Sequence, residues 1–251
     1  MENIDRVEKK RRPRRSRQQI QKMVLDAVSS LVKEKGFSNI TITAISQKSE
    51  VDINAILRSF GSLEQLLDMY SHFFDYWFRN TLENPDRLQN DPIGYYRESV
   101  VNLADMLYNN REMQEMLIWE ICEDNPTTRK VALNREVSNE PVIRALTDKF
   151  KDTGINFDVM AAILIAGIYY LILRRKRSTF FGVDFSTRKG KAKLLETIKQ
   201  SIDICFDILE KRNEVHEIAK RMKEKGIDIE TIAECTCLEK RFIEELTSKN
   251  T

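Results

Sequence analysis

The sequence predicts an all-α protein. Only eight glycines and five prolines interrupt 251 residues. Apolar residues recur at helical spacing along the whole chain, and no stretch alternates apolar with polar residues as a half-buried strand does. The length allows one large or two modest domains with ample core.

Residues 1–15 read as a basic flexible arm. Within residues 1–18, eight Lys/Arg oppose three acids, a local charge of +5, whereas the whole chain carries only +2. The run KKRRPRRSR at 9–17 therefore concentrates positive charge just ahead of the first helix. Such arms neutralise phosphates or enter a minor groove; a solvated tail is the plain alternative.

The first helix reads from Ser16 to Lys35, with Ile20, Val24, Ala27, Val28 and Leu31 on one face. Next come two short helices at a tight turn. Ile42, Ile45, Val51, Ile56, Phe60, Leu66 and Leu67 keep helical spacing. Thr41 can cap the first of this pair and Asp52 the second. Ser62 with Gln65 is the signature of a capping box opening a further helix. A short helix, a break and a second helix with polar residues at its start make a helix-turn-helix, which can enter a DNA major groove.

These residues resemble the DNA-binding domain of the TetR family of transcriptional regulators. The likeness covers about residues 14–70. It rests on Gly36-Phe37, Thr41, Val51-Asp52 and the run Phe60-Gly61-Ser62-Leu63-Glu64-Gln65-Leu66-Leu67. It implies a three-helix DNA-binding domain over 16–62, followed by a ligand-binding and dimerisation domain over 63–212. Arg14, Arg15 and Arg17 would bind phosphate or the minor groove, and Thr43 and Lys48 the DNA backbone. Asp52, Ile53, Asn54, Arg58 and Ser59 would face the major groove, with Asn54 reading adenine and Arg58 guanine. The implied partners are a palindromic double-stranded operator, a small-molecule effector and a second subunit; no cofactor is implied.

The chain departs from the family pattern in four places. Glu50 stands at the turn, where Gly is usual, and Asn54 stands where Gly is common. Leu57 and Leu63 replace a Tyr and a Lys that touch phosphates. These departures keep a second reading open, a TetR-fold interaction module with weak or non-specific DNA binding. An enzyme is not expected, because no nucleophile–base pair, phosphate loop or metal cluster is recognisable.

From Ser62 the next helix reads to about Leu82, carrying Met69, Phe73, Phe74, Trp77 and Phe78. Further helices are expected near 93–109, 111–123, 128–136, 140–152, 156–176 and 189–212. Val159 to Leu173 is uncharged for fifteen residues, short of the roughly 20 a membrane span needs, so it reads as a core or dimer helix. Ala161, Ala162, Ala166 and Gly167 would let another helix approach. The last helix gathers Leu194, Leu195, Ile198, Ile202, Cys205, Phe206 and Leu209 on one face. By the resemblance, 156–176 and 189–212 would pair with their copies as a four-helix bundle. Trp77, Tyr96, Met106, Met113, Met116, Trp119, Tyr169 and Tyr170 could line the implied ligand pocket.

Residues 213–251 read as a helical extension. A helix ends over Met222 to Gly226, Asp228 caps a second, and Cys237-Leu238 leads into a third. The spacing Ala233, Cys237, Ile243 matches a helix-turn-helix, and the segment resembles the short helical tail of transposase-related nuclease-like proteins. The acids Asp228, Glu230 and Glu234 favour protein packing over phosphate contact. Cys122, Cys205, Cys235 and Cys237 lack zinc-site spacing and read as reduced, buried small residues. The N-terminus is charged without an apolar run after it, so no secretory signal is expected and the cytoplasm is the expected compartment.

Overall fold

A computed structural model of the chain describes residues 15–72, 85–151 and 155–246. In chain order the helices are α1 Arg17–Lys35, α2 Ile42–Ser49, α3 Ile53–Phe60, α4 Leu63–Ser71, α5 Pro85–Asn90 and α6 Pro92–Asn109. They continue with α7 Arg111–Cys122, α8 Pro126–Thr147, α9 Phe157–Arg174, α10 Arg188–Glu224, α11 Ile229–Thr236 and α12 Lys240–Glu245. Among the described residues there is no strand; Phe180 and Val183 form one isolated bridge. The described residues form two compact units, one drawn from 1–79 and 109–137, the other from 80–108 and 138–251.

In the first unit, α1 begins with a complete capping box. Ser16 accepts the Gln19 N–H through its hydroxyl (3.2 Å), and the Gln19 side chain accepts the Ser16 N–H (2.8 Å). The helix buries Val24, Ala27, Val28, Leu31 and Val32. It stops at Gly36, whose φ of 75° and ψ of 169° lie in a region open essentially to glycine alone. That turn delivers Phe37 into the core, where its ring stacks on Trp119 of α7 at 4.8 Å and 5°. Ile45, Ile56, Phe60, Leu66 and Leu67 from α2, α3 and α4 complete the same cluster.

A half-buried carboxylate ties three helices of this unit together. Glu112 of α7 accepts from Ser29 of α1 (2.5 Å) and from the Tyr70 hydroxyl of α4, and pairs with Lys33 of α1 at 3.2 Å. Burial works to raise the Glu112 carboxyl. The bonds from Ser29, Tyr70 and Lys33 outweigh burial, so it titrates below its ordinary value. Burial, reinforced by Glu112, pushes the Tyr70 hydroxyl up. A depressed carboxyl stabilises the fold above its unfolded pKa, about 4.3, and that contribution disappears as pH falls through the lower folded value. Thermal unfolding should thus lose stability below about pH 4.5, and the loss should be shallower in Glu112→Gln. An identical acid limb in both proteins would remove Glu112 from that role.

The second unit is built on α6, α9 and α10. Phe150, Phe157 and Phe206 meet with ring centroids 4.9–5.8 Å apart, and Tyr96 joins Phe157 edge-on at 5.5 Å. At the far end of α10, Ala219 packs with Ile232 of α11 and Ile243 of α12 in a small separate core. Asp228 caps α11 by accepting the Thr231 N–H (2.9 Å). Cys237 takes the left-handed turn at φ 55°, and Lys223 donates to the carbonyls of Ile243 (2.7 Å) and Glu244 (2.9 Å).

Several elements differ from expectation. The helices near 128–136 and 140–152 are one, α8, with Pro141 inside it; buried Val131, Val142 and Leu146 hold it on both sides of the proline. The last helix runs past residue 212 to Glu224, because no Gly or Pro stops it there. The expected box at Ser62 is half formed. Ser62 accepts the Gln65 N–H (3.1 Å), while the Gln65 amide oxygen covers the position a side chain on Gly61 would take. Of the cysteines, Cys205 is buried and Cys122, Cys235 and Cys237 are exposed, since the last three lie on solvent-facing sides of short helices or turns. The expected continuation of α4 beyond residue 72, with Phe73, Phe74, Trp77 and Phe78, lies outside the described residues.

Candidate nucleic-acid interface

The turn between α2 and α3 is held by backbone and side chain together. Thr41 caps α2 by accepting the Ala44 N–H (3.2 Å), and Asp52 caps α3 by accepting the Asn54 N–H (2.9 Å). Glu50 takes the left-handed conformation at φ 53°, ψ 34°, which costs a non-glycine residue about 1 kcal/mol. Two bonds lock it there. Ser46 donates to the Val51 carbonyl (2.7 Å), and Arg15 donates to the Glu50 carbonyl (2.8 Å). Val51, Ile56 and Phe60 point inward, which turns the opposite side of α3 to solvent.

The expected site residues fall into three groups. On α3 and its cap, Asp52, Asn54 and Arg58 are exposed and Ile53 and Ser59 half-buried. Among the described residues, the Asn54 and Arg58 side chains make no hydrogen bond or ion pair, so they are free to reach a ligand. Thr43 is exposed on α2, and Lys48 at its end pairs with Glu34 at 2.6 Å. Lys48 holds the Glu34 carboxyl below its ordinary value, with Ser30 assisting. Arg15, just ahead of α1, and Arg17, its first residue, are exposed, with Arg15 engaged at the turn; Arg14 lies outside the described residues.

The two unusual leucines separate. Leu63 is partly buried against the core of the first unit. Leu57 is 38% exposed beside Asn54 and Arg58, an apolar side chain on an otherwise polar face. Neither side chain can hold a phosphate: Leu63 packs on the core at the start of α4, and Leu57, next to inward-facing Ile56, faces out with Asn54 and Arg58.

In the second unit, α9 carries an exposed apolar stripe: Val159, Ile163, Ala166, Gly167 and Tyr170. A Cβ on Gly167 would meet nothing within 4 Å. Beside it α10 exposes Ile204 and Ile208. The α10 face expected to meet a second subunit is instead mostly buried inside the unit, where Leu194, Ile198, Ile202, Cys205, Phe206 and Leu209 pack, with Leu195 half-buried. Among the described residues α9 is the one helix long and apolar enough to cross a membrane; 22% of it is buried.

A cavity of about 260 Å³ also lies in this unit and is lined by Tyr96. The other expected pocket residues go elsewhere. Met113, Met116 and Trp119 are buried in the first unit, Met106 and Tyr170 are exposed, and Tyr169 is half-buried. Trp77 lies outside the described residues.

Solved structures share this architecture. A TetR family transcription regulator from Marinobacter aquaeolei VT8 superposes with a TM-score of 0.53 at 17% identity, over 76% of this chain and 95% of that one. HlyIIR, a hemolysin II transcriptional regulator, superposes with a TM-score of 0.54 at 19% identity, over 74% of this chain and 98% of that one. The chain has the fold of TetR-family transcription regulators. No protein-family model and no curated protein matches the sequence. Nothing in these comparisons supports the likeness of the C-terminal extension to nuclease-like proteins.

Proposed function

We propose that this protein is a sequence-specific DNA-binding transcriptional regulator of the TetR type, a repressor that a small-molecule effector releases from a palindromic operator. The observation that carries the reading is α3. It is a capped, rigidly held helix whose exposed face presents Asn54 and Arg58 without competing partners among the described residues, within a fold known in regulators. Asn54 reads adenine and Arg58 guanine, each by paired hydrogen bonds. Leu57 between them contacts a thymine methyl group, so it gives sequence preference where a tyrosine would give phosphate affinity. Arg15, Arg17, Thr43 and the arm at 9–14 bind the DNA backbone, together with Lys48, which gives up Glu34 to do so. The protein works as a homodimer through the α9 stripe, since two α3 helices are needed for two half-sites. This activity belongs to the cytoplasm, requires no cofactor and involves no catalysis.

Selection of bound fragments from sheared genomic DNA, with excess unrelated competitor, tests the reading. One enriched, two-fold symmetric site is expected; no enrichment by folded dimer, with and without candidate effectors, would leave only a non-specific or protein-docking module. On the enriched site, Arg58→Ala should cost about 1–3 kcal/mol and relax the preference at one base pair. Unchanged selectivity would exclude Arg58 as a base reader.

A further inference from the structure

We propose that the cavity between α9 and α10 binds a compact, uncharged, mainly apolar molecule carrying one hydrogen-bonding oxygen, and that a second copy of this chain covers its mouth. The inference rests on the regulator reading above and names the class of its effector.

The walls set the size and polarity. Phe157, Ala161, Leu164, Ile202 and Phe206 give the cavity its apolar surface. An apolar cavity of about 150 Å³ stays dry and accepts benzene, whereas drug-sized ligands occupy about 300–1,000 Å³. At about 260 Å³, this one has room for a single substituted ring or a short branched chain. Among the described residues no charged side chain lines it, so an ionised ligand would be buried without a counter-charge from them.

The polar groups present set the position of the oxygen. Ser201 lines the cavity, but its hydroxyl already donates to the Thr197 carbonyl (2.8 Å). Tyr96 is 5% exposed, and its buried hydroxyl has no hydrogen-bond partner among the described residues. A buried hydroxyl left unpaired is a standing cost that a ligand oxygen removes. Burial, with the Cys205 thiol adding to it, pushes the Tyr96 hydroxyl up, and burial raises the thiol too. Both groups therefore stay neutral and suit a neutral ligand.

The mouth lies on α9. Met160 and Ile163 line the cavity and are also 41% and 68% exposed. Ile163 belongs to the apolar stripe read above as the dimer face. A second copy seated there closes the cavity, so ligand occupancy and the geometry of the two α9 helices are linked, and the linkage is reciprocal.

Calorimetry on the full chain with three probes of matched shape tests this: acetophenone, ethylbenzene and benzoate. Acetophenone should bind once per protomer, ethylbenzene about fivefold more weakly, and benzoate not detectably. Tyr96→Phe, which removes one oxygen and keeps the ring, should make the two neutral probes equal. Ala161→Phe should abolish binding of both. Acetophenone should also shift the monomer–dimer equilibrium of the wild type. Benzoate binding as tightly as acetophenone, or ketone binding undiminished in both variants, would overturn the proposal. So would no binding by any probe, and operator selection would then still stand or fall separately. Ketone binding by a protein that enriches no operator would keep the site and reject the regulator reading.

Discussion

Phe37→Ala is expected to destabilise the first unit by about 3–5 kcal/mol, a large share of the 5–15 kcal/mol typical of a whole domain. Phe37 is 3% exposed, stacked on Trp119 and 6.1 Å from the Tyr70 ring. It therefore joins the end of α1 to α4 and α7. Its removal leaves a cavity the neighbours cannot fill, because Gly36 fixes the backbone on one side and the Glu112 bonds fix the helices around it. Urea unfolding followed by tryptophan fluorescence would measure the loss. Met69→Ala on the exposed side of α4 should stay within about 0.5 kcal/mol. Equal effects at the two positions would mean that the stack contributes no more than a surface contact. Because α3 depends on this core for its orientation, DNA binding by Phe37→Ala should weaken in step with its unfolded fraction.

The helix-turn-helix was legible in the sequence because its signals are local. Thr41 and Asp52 cap within three residues of themselves, and Ile45, Val51, Ile56 and Phe60 fall on one side by periodicity alone. The left-handed Glu50 was legible only by alignment to a pattern, since nothing in its own chemistry requests that conformation. Glu112 was not legible at all. Its partners Ser29 and Tyr70 lie 83 and 42 residues away in sequence, so only tertiary packing makes it a junction. The break expected between residues 136 and 140 is absent: α8 continues through Pro141, although proline disfavours a helix interior, because Val131, Val142 and Leu146 are buried around it.

The orientation of α9 was hidden for a different reason. A helix apolar on every side has no moment to show which side faces out, and on α10 the more regular apolar face proved to be the internal one. The exposed stripe makes the largest functional prediction. Ala166→Arg should leave each protomer folded, because Ala166 is exposed and surface substitutions usually change stability by less than about 0.5 kcal/mol. In a dimer, however, the same residue would sit where two helices meet through small side chains, and a buried, unpaired guanidinium is strongly disfavoured there. The variant should sediment as a monomer with wild-type helicity. Its affinity for a full palindrome should fall by about 10²–10⁴-fold, the advantage that joining two sites confers, while affinity for an isolated half-site stays constant. Sedimentation and operator titration separate the alternatives. A dimeric Ala166→Arg with full operator affinity would move the dimer interface off α9, whereas a monomer with full affinity would show that one α3 helix reads the operator unaided.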